Sequence, residues 1–504
     1  MTHRMNPLTR HALNLLAPMV LALAPAGALA ATQAPAVAAV AGKPSLLLGA
    51  FDVGKFGYQT EEFFLSGTAT GYALSGPATA DGKWDARPAS SAPFKTRVVV
   101  IRPRDPAKFN GTVLVEWLNV TSGQDTPADW MVAHREILRR GYAYVAVSAQ
   151  AVGVEGGHSV MGMGASLKKI DAARYGALSH PGDAYSFDIF SQAGAALKAP
   201  GASGLLGPLK PERVIGIGES QSAAFLTTYV NAVDPLAGVF DGFFIHSRFG
   251  SSARIDGVRN LGAPDDQTPQ AVRFRPDLRA PVLTLITETD LVGGGLSGYY
   301  GARRDDDAHL RVWELPGAAH ADGYLFMGAF TDDGSRTPQQ LAQVFWPAQT
   351  APGGKLAKPY NPGVPHHYVV EAAIAAIDQW VRTGKPPAST PLIATTAPAR
   401  PGEAPALQTD ANGIAKGGVR TPWTDVPTML ISGVGNSGPF VGRLVGVGEP
   451  FDKATLARLY PGGKDAYLRK FTASLDAAIK AGHIPPEDRA EILAVAAINY
   501  DKAP

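Results

Sequence analysis

Val214-Ile215-Gly216-Ile217-Gly218-Glu219-Ser220-Gln221-Ser222-Ala223-Ala224 is an apolar run that breaks at a serine flanked by small residues and then turns helical. A serine held on a sharp strand-to-helix turn tolerates little bulk two residues to either side, because the strand and helix backbones nearly touch there. Gly218 and Ser222 meet that demand, with serine standing where a second glycine is more usual. The bland alternative is a serine that merely caps a helix, and the pentad alone does not separate the two. The rest of the chain decides, because a serine hydroxyl is a poor nucleophile until a histidine takes its proton and a carboxylate orients that histidine.

Both partners should follow on loops at the carboxyl ends of later strands. Pro281-Val282-Leu283-Thr284-Leu285-Ile286-Thr287-Glu288-Thr289-Asp290 reads as a buried strand ending in two acids, and Leu310-Arg311-Val312-Trp313-Glu314-Leu315-Pro316-Gly317-Ala318-Ala319-His320 as a strand, a small-residue turn and a histidine. The order Ser220, acid, His320 is that of the α/β-hydrolases, in which the acid sits a few residues past the strand end. That favours Asp290 as the acid and leaves Glu288 as second choice. An oxyanion hole should draw on the N–H of Gln221, the residue after the nucleophile, and on one from the loop Leu118-Asn119-Val120-Thr121-Ser122-Gly123, where Asn119 and Val120 are equal candidates. His320 beside Asp322 lacks further metal ligands, so we expect no metal and no cofactor. His366-His367 reads as structural and Asp305-Asp306-Asp307 as a solvated charge run. Arg248, just past a strand end, could meet a substrate anion or form a structural salt bridge.

Elsewhere, residues 97–102 and 111–117 are β-branched runs joined by a proline-containing turn and read as paired strands. A helix over 129–140, a strand over 142–147, a glycine-rich loop over 149–180 and a helix over 183–197 lead into the strand that carries the serine. The loop is long enough to wall or cover a site. Strands alternate with helices as far as a strong helix over 368–382, which predicts an α/β fold with a mostly parallel central sheet and helices on both faces. We place the catalytic domain at 46–388 and a loop-and-helix extension packed on it at 389–504.

Residues 1–30 carry Arg4 and Arg10, an apolar core over 12–24, and Ala28-Leu29-Ala30 before Ala31, the pattern of a signal peptide cleaved near Ala30. Export to the periplasm or the medium follows, with the alanine- and proline-rich residues 31–45 as a flexible lead-in. Cleavage removes two arginines and no acids, leaving 44 Lys and Arg against 44 Asp and Glu. Nothing in that balance favours nucleic acid or an anionic membrane surface, because phosphate binding needs a clustered cationic excess. No later apolar run reaches the roughly 18 residues of a membrane span. With no cysteine in the chain, disulfides and thiol nucleophiles are excluded, and the fold must rest on packing.

Trp117-Leu118-Asn119-Val120, Ala146-Val147-Ser148-Ala149-Gln150, Pro181-Gly182-Asp183-Ala184-Tyr185-Ser186, Gly218-Glu219-Ser220-Gln221-Ser222, Thr287-Glu288-Thr289-Asp290, Gly317-Ala318-Ala319-His320-Ala321-Asp322 and Gly417-Gly418-Val419-Arg420-Thr421-Pro422 together resemble the exported alpha/beta hydrolase domain-containing proteins, from residue 49 to the end. The resemblance implies the α/β-hydrolase fold and a serine ester hydrolase with Ser220 as nucleophile and His320 as base, acting on a small-molecule ester. It does not settle the acid, because both carboxylates of Glu-Thr-Asp belong to the shared motif. A lactonase or amidase would use the same triad, and a non-catalytic binding protein could keep the fold. A dinucleotide-binding reading of Gly216-Ile217-Gly218 fails at Gln221, where a third small residue is required.

Overall fold

Runs of β-branched and aromatic residues, each ended by a turn former, build one nine-stranded sheet. Its strands are β1 (Ala36–Val40), β2 (Tyr58–Leu74), β3 (Ala86–Pro103), β4 (Thr112–Trp117), β5 (Ala143–Val147), β6 (Arg213–Glu219), β7 (Gly242–His246), β8 (Val282–Thr287) and β9 (Leu310–Leu315), in the order 1-2-3-5-4-6-7-8-9. The computed structural model describes residues 34–161, 164–199, 204–258, 269–351, 354–398, 400, 403–438 and 440–504. The expected signal segment, residues 1–30, lies outside them.

Strands β4 to β9 run parallel, and β3 joins them antiparallel through β5. Strands β3 and β4, expected to pair with each other, are therefore separated by β5. The reason is the helix α1 (Ala128–Arg139), which carries the chain across one face after β4 and returns it as a parallel neighbour. The lead-in over 31–45 is also corrected. Its residues 36–40 form β1, because the outer edge of β2 presents unpaired backbone groups that the segment satisfies from Ala36 opposite Ser66 to Val40 opposite Glu62. The acidic run over 305–307 is not simply solvated either. Asp306 and Asp307 accept the N–H groups of Val312 and Leu310 and so fix the start of β9.

Side chains alternate across the sheet and seed two cores. Val113, Val115 and Trp117 of β4 face α2 (Ser186–Lys198) and α3 (Gln221–Thr228), where the Trp117 ring lies 5.0 Å from Phe190 and 5.2 Å from Phe225. Leu114 faces the other way, into a cluster with Trp130 and Ile137 of α1 and Val370, Ile374 and Trp380 of α4 (His366–Thr383). Every strand from β4 to β8 thus sits between helices on both faces, as its continuous hydrophobicity requires.

Residues 389–504 share a third core with the rest of the chain, and residues 32–504 form one compact unit. Helices α5 (Gly463–Lys480) and α6 (Arg489–Asp501) place Tyr467, Phe471, Leu475 and Val495 against Met131, Tyr324, Phe345 and Tyr368. Arg135 of α1 pairs with Asp488 and Glu491, and Arg139 with Asp488. Truncating fully buried Phe471 to alanine should cost about 3–5 kcal/mol, the usual penalty for emptying an aromatic site. Urea unfolding of Phe471→Ala checks this: a single transition at lower midpoint is expected, whereas a separate early transition would show that the tail unfolds by itself.

Candidate active site

The elbow forms because β6 runs straight into α3 with one residue to turn on. Ser220 takes φ 58° and ψ −113°, in the half of backbone space that side chains ordinarily avoid. Its N–H donates to the His246 carbonyl at 3.0 Å, and its own carbonyl accepts from Ala224 at 3.2 Å, so both sides of the turn are held. A Cβ added at Gly218 would lie 2.9 Å from Leu226 Cδ1 and 3.1 Å from the Ser222 Cβ. Even one added carbon at Gly218 would therefore crowd Leu226 and Ser222 of the helix.

Asp290 and His320 meet Ser220 from the loops that follow β8 and β9. Ser220 Oγ is 2.9 Å from His320 Nε2, and His320 Nδ1 is 2.6 Å from Asp290 Oδ1. With Nδ1–H donated to the carboxylate, Nε2 is left to accept the serine hydroxyl proton. Asp290 Oδ2 accepts the N–H and the hydroxyl of Thr287 at 2.8 Å each. Burial alone would raise the Asp290 carboxyl, but the charge of His320 and the hydrogen bonds from His320 and Thr287 outweigh it and hold the group below the usual carboxylate range.

Glu288, the second candidate acid, is elsewhere. It lies two residues before Asp290 on the short helix Glu288–Val292, and two helical residues are about 200° apart around the axis. Its carboxylate points away from His320, accepting from the Gly317 N–H at 2.6 Å, the Ser432 hydroxyl at 2.6 Å and the Gly433 N–H at 2.8 Å. It ties the histidine loop to the C-terminal segment.

The two loop candidates for the oxyanion hole also separate. The Asn119 N–H is committed to the Thr126 carbonyl at 3.0 Å, in a bridge that closes the loop. The Val120 N–H instead faces the elbow and donates to Gln221 Oε1 at 3.2 Å. The Gln221 N–H is the first of α3 and has no partner within the helix. Asn119 acts through its side chain, donating to the Glu219 carbonyl at 3.2 Å and to Glu219 Oε2 at 3.3 Å.

Glu219 is the site residue that sequence reasoning missed. Its Oε1 lies 3.5 Å from His320 Nε2, and burial, with Asp129, Asp290 and Glu116 nearby, pushes its carboxyl well up. A charged residue ending an otherwise apolar strand, next to the serine, was the available signal. Arg248 does not form the expected salt bridge among the described residues. It is fully buried, donates to the carbonyls of Phe249, Gly250 and Val272, and lies over the rings of Phe274 and Tyr299, with burial lowering it to about 10. The Phe249 ring in turn stands 5.0 Å from His320. Among the described residues no group of three or more His, Cys, Asp or Glu is arranged to hold a metal, and no helix is long and apolar enough to cross a membrane.

No curated protein matches the chain. Among solved structures, it is similar to an esterase from Rhizomucor miehei (11% identity over 55% of this chain and 81% of the other, TM-score 0.28) and to acetyl xylan esterase 1 from Thermoanaerobacterium sp. (12% identity, 55% and 81%, TM-score 0.27). Residues 24–494 match the sequence profile of the alpha/beta hydrolase domain. The chain belongs to the alpha/beta hydrolase domain family, and its mixed, helix-covered sheet is that fold.

Proposed function

We propose that the protein hydrolyses carboxylic esters through an acyl-enzyme on Ser220. The observation that carries this reading is the unbroken hydrogen-bonded line from Ser220 Oγ through His320 to Asp290, with the serine on a strained elbow. His320 Nε2 takes the hydroxyl proton as Oγ adds to the ester carbonyl. The N–H groups of Gln221 and Val120 receive the oxyanion, and for this Gln221 Oε1 must give up the Val120 N–H. His320 then passes its proton to the departing alcohol and afterwards draws a proton from the water that releases the acid. Asp290, with Glu219 close by, stabilises the imidazolium in both halves. The N-terminal segment directs export, to the periplasm or beyond. No cofactor enters the scheme.

A panel of aryl and alkyl esters, with a lactone and an amide alongside, is the direct trial. Ser220→Ala should lower kcat by at least about 1,000-fold and abolish labelling by a fluorophosphonate, because the nucleophile and base act as a unit. Full activity in that variant would contradict the mechanism.

Asp290→Asn should lower kcat about 10,000-fold by favouring the wrong histidine tautomer. Glu288→Gln should instead keep its catalytic constants and lose about 1–3 kcal/mol of stability, since a buried N–H or hydroxyl then lacks its acceptor. Equal kcat losses in the two would refute the assignment of the acid. The Asp290 pairing also has a pH signature. A carboxylate whose folded pKa is depressed contributes stability that is complete above its unfolded pKa of about 3.9 and disappears as pH falls through the lower folded value. The Tm gap between wild type and Asp290→Asn should therefore be constant near neutrality and close in acid, and a gap that widened in acid would contradict it.

A further inference from the structure

Beneath the serine and histidine runs a second line of hydrogen bonds, made of four buried titratable side chains. Asp129 Oδ1 is 2.8 Å from His246 Nδ1, His246 Nε2 is 2.9 Å from His366 Nε2, and His366 Nδ1 is 2.8 Å from Asp322 Oδ2. None of the four is more than 4% exposed, so bulk water does not offer alternative partners.

Each member belongs to a segment that carries part of the site. His246 ends β7, and its carbonyl holds the Ser220 N–H. Asp322 is two residues past His320, and its other oxygen caps the next helix at the Leu325 N–H. Asp129 stands in the first turn of α1, just after the loop with Asn119 and Val120, and its own N–H donates to Glu116 Oε1. His366 opens α4, which packs on β7. The line is a crossbar between the nucleophile, the base and the oxyanion loop.

Its length fixes its proton count. Three contacts at hydrogen-bond distance need three protons, and two neutral imidazoles bring only two. If both go to the carboxylates, two nitrogen lone pairs face each other at 2.9 Å. If one lies between the rings, a carboxylate faces a lone pair instead. We propose that the line holds one extra, shared proton, and that Asp129, His246, His366 and Asp322 are positioning residues which keep the elbow, the His320 loop and the oxyanion loop in register only while that proton is bound.

The surroundings favour its retention. On β4, Glu116 lies against Asp129 and receives the Tyr144 hydroxyl of β5. From the site side, Asp290 adds negative charge, Glu219 has its own carboxyl pushed well up by burial and by Asp129, and His320 opposes the negative charge only when protonated. On α4, His367 is turned away and stacks on Tyr324 at 3.9 Å, while the ring of Phe244 stacks on His246. With the proton the line carries one net negative charge, and without it two. Burial pushes the Asp129 carboxyl up and the His246 ring down, directions that keep the proton in the line but not localised on His246. Because the folded state then holds a proton that the unfolded chain has released, the crossbar is complete at neutral pH and opens as pH rises through the raised value.

The effect on turnover rests on the ester-hydrolase reading, whereas the proton does not, so the test reads both. Proton NMR of the full-length protein with labelled histidines should show resonances far downfield of the amides, one of them bridging His246 and His366 and lost on moderate alkalisation. In the same range, kcat on an aryl ester should fall about tenfold per pH unit with KM unchanged. His366→Gln offers an amide donor to His246 that needs no extra proton, and should lack both the bridging resonance and the alkaline fall. Asp322→Asn keeps its carbonyl for the Leu325 N–H and turns an amide donor on His366 Nδ1, which completes the line without the extra proton, so this variant too should lose the alkaline fall. A bridging resonance absent from the wild type at neutral pH, or an alkaline profile identical in all three proteins, would overturn the proposal. A protein that showed the resonance but hydrolysed no ester would overturn the ester reading instead.

Discussion

The site depends on one constraint, that Ser220 must turn the chain from strand to helix within a single residue. A φ of 58° at a serine costs on the order of 1–3 kcal/mol and persists only where the surroundings over-determine it. Here β6 lies inside the sheet between β4 and β7, and α3 is pressed on it closely enough that a methyl group at Gly218 would crowd Leu226 and Ser222. The hydroxyl is thereby lifted to the carboxyl edge of the sheet, where the loops after β8 and β9 deliver Asp290 and His320. Parallel strands and crossover helices matter to function because they bring all of these loops to the same edge.

The electrostatics of that edge are one-sided. Glu116, Asp129, Glu219, Asp290 and Asp322 lie in or under the site, and no Lys or Arg is paired with any of them among the described residues. Such a setting puts the Asp290 carboxylate against the imidazolium that forms while serine attacks. It also raises the cost of ionising the acids that are not needed as anions, and Glu116, Asp129 and Glu219 are all pushed up. Asp290 differs because His320 and Thr287 donate to it directly.

What was legible in the sequence was local or periodic. The elbow, the strands that end at Asp290 and His320, and the alternation of strand and helix are all carried by neighbouring residues. What was not legible depends on contacts between distant segments. Asn119 and Val120 could be told apart only by the bridge to Thr126, and the sequence preference for Asp290 over Glu288 finds its physical reason in the helical turn after β8 and in Ser432 and Gly433 waiting for the other carboxylate. Residues 36–40 look like linker until the free edge of β2 is known. The crossbar under the site is assembled from positions 129, 246, 322 and 366, two of which read separately as structural histidines and a lone His-x-Asp pair.

Trapping the acyl-enzyme tests the central claim most directly. Mixing the protein with excess aryl ester and quenching in acid within the first turnovers should give an intact mass raised by one acyl group, carried on the peptide that contains Ser220. An unmodified mass throughout turnover, or an acyl group carried on any other residue, would contradict the account.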